Sequence, residues 1–168
     1  MIFARNEILK LVKDKSLVIS PFIKKHVGAA SIDLTLDKSF RVFPERQKTI
    51  LVSETLDYKK YTKKVNVKDY FILEPGAFVL GITREKITLP GNIAGLLSGR
   101  SRFARLGLTV HVTSNFVQPG VHNKQVLEMK NENTVPLKLK VGTRICQLIL
   151  FECKGEATYK GKFNNQIL

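Results

Sequence analysis

Apolar and polar residues alternate in short runs along most of this chain. Ile32, Leu34 and Leu36 alternate with Ser31, Asp33, Thr35 and Asp37, and Phe78, Leu80 and Ile82 form a second run. Leu108, Val110 and Val112 alternate with Thr109, His111 and Thr113, and Leu137, Leu139 and Val141 alternate with Lys138 and Lys140. A period of two is that of a strand with one buried face. Residues 145–151 are apolar apart from Gln147, the pattern of a buried strand. Pro75-Gly76, Pro90-Gly91, Pro119-Gly120 and Gly142 mark turns between the runs. A helical period is strong only over residues 6–15, where Ile8, Leu11 and Val12 share a face and Asn6 stands as a candidate N-cap. Many short strands with closely spaced turns predict an all-β fold, a sandwich, jelly roll or barrel, with one short N-terminal helix. Residues 44–68 are polar and lysine-rich and read as an excursion from the core. Residues 154–168 have little apolar content and read as a C-terminal arm. A length of 168 residues suits one domain, 1–168, that carries this arm.

Composition narrows the classes of function. The net charge of +14 favours an anionic partner: nucleic acid, a membrane surface or free nucleotide. The lysines are scattered and form no stripe interleaved with aromatics, so no nucleic-acid partner is expected. No window approaches the ~18 consecutive apolar residues of a membrane span, and no membrane association is expected. The start, Met1-Ile2-Phe3-Ala4-Arg5, lacks a basic region leading into an apolar one, which points to a cytoplasmic protein. Cys146 and Cys153 have neither the spacing nor the histidine neighbours of a zinc site and read as reduced thiols.

Three segments carry candidate chemistry. Gly99-Arg100-Ser101-Arg102-Phe103-Ala104-Arg105-Leu106-Gly107 places arginines and a serine about a glycine-bounded turn. Planar guanidinium forks and free amides suit phosphate, although a solvated basic turn has the same composition. In Val126-Leu127-Glu128-Met129 the alternation puts Glu128 on the face of Val126, opposite Leu127 and Met129. A carboxylate among apolar neighbours is expected to have a raised pKa and to move protons near neutrality; an ion pair with a lysine is the alternative. The tail Tyr159-Lys160-Gly161-Lys162-Phe163-Asn164-Asn165-Gln166 offers an aromatic ring, a lysine and an amide that could close over a ligand, or it is a frayed terminus.

The order and spacing of these segments resemble the dCTP deaminase family of the trimeric dUTPase superfamily. Ala30-Ser31-Ile32-Asp33-Leu34-Thr35-Leu36 looks like its early strand motif, and Gly99 to Thr113 like its phosphate motif and following strand. Val126-Leu127-Glu128, Pro136-Leu137 to Gln147-Leu148, and Lys162 to Gln166 resemble the catalytic strand, the strand after it and the arm. The match is weakest over residues 40–70. The resemblance implies a distorted β-barrel or jelly roll of dUTPase-like type, assembled as a homotrimer with sites between subunits. It implies deamination of dCTP to dUTP and ammonia without zinc, with Mg²⁺ carried on the triphosphate. By resemblance Glu128 is the proton shuttle, and Arg105 and Ser101 assist it. The nucleotide is held by Arg100, Ser101, Arg102, Phe103, Ala104, Arg105, Gln118, Val126, Leu127, Glu128, Gln147, Tyr159, Lys162 and Gln166. The family's alternative chemistry is dUTP hydrolysis, alone or coupled to deamination to give dUMP.

Five positions depart from the family pattern. Gln118 replaces an aspartate that contacts the sugar and, in dUTP-hydrolysing members, orients water. Val121 replaces a bulky aromatic, Asn123 a glycine, Arg102 a second serine and Ser114 an alanine. Glutamine cannot act as a general base, so Gln118 argues for deamination without efficient dUTP hydrolysis. Asp33 is expected to satisfy backbone donors. His111 is open between a packed core histidine and a catalytic helper.

Overall fold

The computed structural model describes residues 1–44, 49–111, 113–164, 166 and 168. The alternating runs become strands β1 (Val18–Ser20), β2 (Ile32–Val42), β3 (Lys63–Asn66), β4 (Tyr70–Leu73), β5 (Phe78–Thr88) and β6 (Ile93–Gly99). They continue with β7 (Leu108–Val110), β8 (Phe116–Val117), β9 (His122–Asn131), β10 (Leu137–Lys140) and β11 (Arg144–Glu152). Among the described residues two α-helices, α1 (Arg5–Lys13) and α2 (Ser101–Ala104), accompany them. The large sheet runs β7-β9-β5-β2-β11-β6-β8, with β1 added to β5 and β3 to β2, and every pair is antiparallel. Strand β2 serves two neighbourhoods. Its start pairs with β11 (Leu34 opposite Cys146) and its end with β5 and β3 (Phe40 opposite Gly81 and Val65). That change of partner curls the sheet around one apolar core, in which Leu34, Leu36, Phe40, Leu127, Leu148 and Leu150 are fully buried. Strands β4 and β10 form a separate pair that adds Leu73 and Leu139 to this core.

Curling breaks the ladder, and buried side chains take over the broken bonds. The register shifts between Leu36 and Phe40 on β2 and between Ile82 and Lys86 on β5. There Glu85 accepts the Thr35 amide at 2.8 Å and Thr83 Oγ1 accepts the Gln125 amide at 2.9 Å. Both side chains are buried, and each accepts from a core amide that the broken ladder leaves without a strand partner.

Several expectations are corrected. Helix α1 begins at Arg5, not after Asn6, and its cap position, Ala4, gives no side-chain bond. Its start is set from outside, by the Arg5 amide donating to the Ala29 carbonyl and the Arg5 guanidinium to the Val27 carbonyl. The run 108–113 stops as a strand at Val110; His111 and Thr113 turn toward β9, and Val112 lies outside the described residues. The excursion 44–68 is partly sheet, since Phe40 pairs with Val65 on β3, while Leu51 and Val52 are exposed. Strand β11 buries Cys146, Leu148 and Leu150 and leaves Gln147, Ile149 and Phe151 part-exposed, so it alternates instead of being buried throughout. Both cysteines are free thiols, and burial pushes the Cys146 thiol far up. Among the described residues no helix is long and apolar enough to cross a membrane.

Candidate active site

The β9 alternation decides where Glu128 points. Leu127 and Met129 are fully buried in the core, and Glu128 and Val126 face a cavity of about 500 Å³. Phe43, Tyr58 and Phe78 form an aromatic wall, with the Phe43 and Phe78 ring centroids 5.7 Å apart. The loop after β7 contributes His111, Thr113 and Ser114, and the arm contributes Tyr159, Phe163 and Gln166. Gln118, Asn123 and Gln125 supply amide groups. Among the described residues that line it, Glu128 is the only carboxylate, and none is arginine or lysine.

Glu128 is held by donors, not by a lysine. One carboxylate oxygen accepts the Thr113 amide at 2.8 Å, the Thr113 hydroxyl, and the Ser114 amide at 3.3 Å. Burial raises its pKa, but the Thr113 hydroxyl and amide and the Ser114 amide outweigh burial and hold it below the usual 4.5. The raised pKa expected from the apolar neighbours is therefore corrected. The β9 pattern revealed the strand but not the loop that folds onto it.

His111 fastens that loop. Its Nδ1 accepts the Glu128 amide at 3.0 Å and its Nε2 donates to the Ser114 carbonyl at 2.7 Å. An Nδ1 that accepts carries no proton, so the ring is neutral, and burial lowers its pKa from 6.5. The side chain thus links the strand bearing Glu128 to the loop that donates to it.

The arginine segment that the resemblance marks for phosphate lies outside this cavity. Arg100 precedes α2, and its guanidinium pairs with Asp33 at 3.2 Å and donates to the Arg144 carbonyl at 2.9 Å. Arg144 also pairs with Asp33, at 3.1 Å. Asp33 therefore serves two arginine side chains where backbone donors were expected. Arg102 and Arg105 are exposed, and Ser101 and Ala104 line a second cavity with Gly99, Thr109 and Glu132. A side chain at Gly99 would meet the Val110 carbonyl at 2.7 Å, so glycine lets the end of β6 approach the end of β7. Phe103 packs on the core, and Gln147 bonds Ser31 and the Gly99 carbonyl.

Of the residues singled out from sequence, Glu128, Val126, Gln118, Tyr159 and Gln166 converge on the Glu128 cavity within one chain. Leu127 turns its side chain into the core, and Lys162 sits exposed on the arm with Nζ 6.0 Å from the Phe163 ring centroid. The residues Arg100 to Arg105 and Gln147 do not line it. Sequence reasoning missed Thr113, the buried Glu85 and the aromatic wall. Phe43 and Tyr58 lie within the segment of weakest resemblance and showed no period. Among the described residues no group of three or more His, Cys, Asp and Glu could hold a metal.

In sequence and in fold, this chain is similar to known proteins. A family model described as dCTP deaminase-like matches residues 2–153. A Pseudarthrobacter chlorophenolicus protein named dCTP deaminase, dUMP-forming, is 35% identical, covering 99% of this chain and 89% of its own length. A Nanoarchaeum equitans protein of the same name is 37% identical, covering 96% and 90%. Among solved structures, the 2'-deoxycytidine 5'-triphosphate deaminase of Agrobacterium tumefaciens has a TM-score of 0.69 at 21% identity. The match covers 89% of this chain and 47% of that one, so this chain spans about half its length. A variant of the Staphylococcus bacteriophage 80alpha dUTPase has a TM-score of 0.54 at 14% identity, covering 87% and 96%. At these identities the structural likeness concerns the fold alone, and the all-β, dUTPase-like architecture expected from the sequence holds.

Proposed function

This chain belongs to the dCTP deaminase-like family, and on that premise we propose that it hydrolyses dCTP to dUTP and ammonia with Glu128 as the proton shuttle. The observation that carries the proposal is the placement of Glu128: the one carboxylate among the described lining residues of an aromatic-walled cavity, fixed by three donors. Its lowered pKa keeps the free enzyme in the base form. Glu128 takes a proton from water as the water oxygen attacks C4 of cytosine, and passes that proton to N3. It then carries the new hydroxyl's proton to the amino group. The C4–N bond breaks, ammonia leaves, and the carbonyl of uracil remains. One carboxylate serves as base and acid in turn, and the loop donors hold it in place through both transfers.

The triphosphate needs cations that the described lining lacks. Arg102 and Arg105 are exposed and Ser101 lines a separate cavity, which supports a homotrimer in which this motif from one copy meets the Glu128 cavity of another. Mg²⁺ arrives with the triphosphate as part of the substrate. Tyr159 and Gln166 of the arm line the cavity and close over the nucleotide, with Lys162 beside them.

The names of the relatives favour a second reading, in which deamination is followed by loss of pyrophosphate to give dUMP. Gln118 opposes it, because it lines the cavity with an amide that cannot deprotonate water. Purified protein given Mg²⁺ and either dCTP or dUTP decides between them. Ammonia and dUTP from dCTP, with dUTP left intact, is the expected result. Release of dUMP and pyrophosphate would establish the second reading. No turnover of either nucleotide would overturn both.

A further inference from the structure

The arm is already seated in this chain, and one buried side chain does much of the seating. From Cys153 the chain runs past Gly91, where the Ala157 amide donates to the Gly91 carbonyl at 2.9 Å. It then passes the Pro119-Gly120 turn, where the Tyr159 amide donates to the Pro119 carbonyl at 2.9 Å. Beyond Tyr159 it lies along the start of β9. Asn123 is 4% exposed there and Gln125 5%. Gln125 Nε2 donates to Asn123 Oδ1 at 2.6 Å, which fixes the Asn123 amide and turns its NH₂ outward. That group donates to the Phe163 carbonyl at 2.7 Å. The His122 amide reaches Asn164, and Gln166 Nε2 donates to the Lys124 carbonyl at 3.2 Å.

We infer that Asn123 is a positioning residue that docks the C-terminal arm over the Glu128 cavity before nucleotide arrives. The glycine of the family pattern at this position would offer no side-chain donor. Here a buried amide, oriented from behind by a second amide, reaches into the arm at the residue whose ring lines the cavity. A donor buried this deeply and left unpaired is costly, so the Phe163 carbonyl is held in place. The consequence is preorganisation. An arm that orders only on binding loses conformational freedom at that moment, whereas a seated arm has lost it already. Tyr159, Phe163 and Gln166 are therefore presented to the nucleotide as a finished wall. The effect on turnover rests on the deaminase function proposed above; the docking itself does not.

The test uses the full chain, first without nucleotide. Lys160 and Lys162 are exposed on the arm, and trypsin cuts there as fast as the arm opens. In Asn123→Ala, which also leaves the Gln125 amide donor unpaired and so lowers the thermal midpoint, cleavage at these two lysines is expected to accelerate roughly tenfold more than cleavage elsewhere in the chain. With dCTP, KM is expected to rise by a similar factor while kcat stays within about twofold, since Asn123 acts on binding and not on the proton transfers. Arm cleavage equal to the parent's overturns the docking. A looser arm with unchanged KM overturns the positioning role. Should the parent turn over neither nucleotide, the proposed function fails, while the cleavage rates still decide the docking. If Asn123→Ala does not fold, Asn123→Asp keeps the size and the bond from Gln125, replaces the donor by an acceptor that faces the Phe163 carbonyl, and is read the same way.

Discussion

At the scale of single residues, Glu128 shows how a fold tunes a carboxylate against its own burial. Burial favours the neutral acid, yet the donors of Thr113 and Ser114 stabilise the anion, and they prevail. Removing one donor should therefore raise the pKa. Thr113→Val deletes the hydroxyl donor and keeps the two backbone donors, so the part of the acid limb of kcat/KM due to Glu128 should move from below pH 4.5 to higher pH. That profile reports the free enzyme. An acid limb unchanged by the substitution would mean that the hydroxyl does not hold the carboxylate. His111, whose lowered pKa keeps it neutral at and above pH 6.5, would lose its acceptor for the Glu128 amide on protonation, a separate source of inactivation in mild acid. Asp33 carries the opposite lesson: its placement in an early strand motif suggested backbone bonds, but two arginines distant in sequence claim it.

At the scale of elements, the arm depends on the turn it crosses. Gly120 has φ +76°, and a side chain there would come within 2.6–3.0 Å of Thr158. Gly120→Ala should thus cost about 1–2 kcal/mol from the left-handed backbone alone. It should also lift the arm from the body. A fall in thermal midpoint together with a raised KM for dCTP would bear this out; a raised KM with no loss of stability would place the effect in the arm contact only. The same logic explains the strand ends. Strand β7 stops at Val110 because the following residues bond β9 side chains and amides instead of a neighbouring strand.

At the scale of the whole molecule, the division between an acidic cavity and a basic motif is the main fact to test. If each site joins Glu128 of one copy to Arg105 of another, two inactive variants should complement. Co-expression of Glu128→Gln with Arg105→Ala would then restore roughly a quarter of the sites in randomly mixed trimers. A mixture as inactive as its parts would show that each chain builds its own site. The cationic excess fits an anionic substrate, although the described cavity contains none of it.

Much of this protein was legible in its sequence. Alternation located β2, β5, β9 and β10, because side chains on a strand must segregate when one face is buried. The same alternation put Glu128 opposite Leu127 and Met129, and turn residues with positive φ marked Gly76, Gly120 and Gly142. Those features depend on local geometry and composition, which neighbours in the chain carry. Tertiary structure alone decided the rest. Phe43 and Tyr58 reach the cavity from a segment without period, Thr113 lies fifteen residues from the carboxylate it holds, and Asn123 meets Phe163 forty residues away. Pairings of that kind follow from how the sheet curls and where the chain returns. The pKa of Glu128 follows them too, since donors brought in by the fold outweighed the apolar neighbours beside it in sequence.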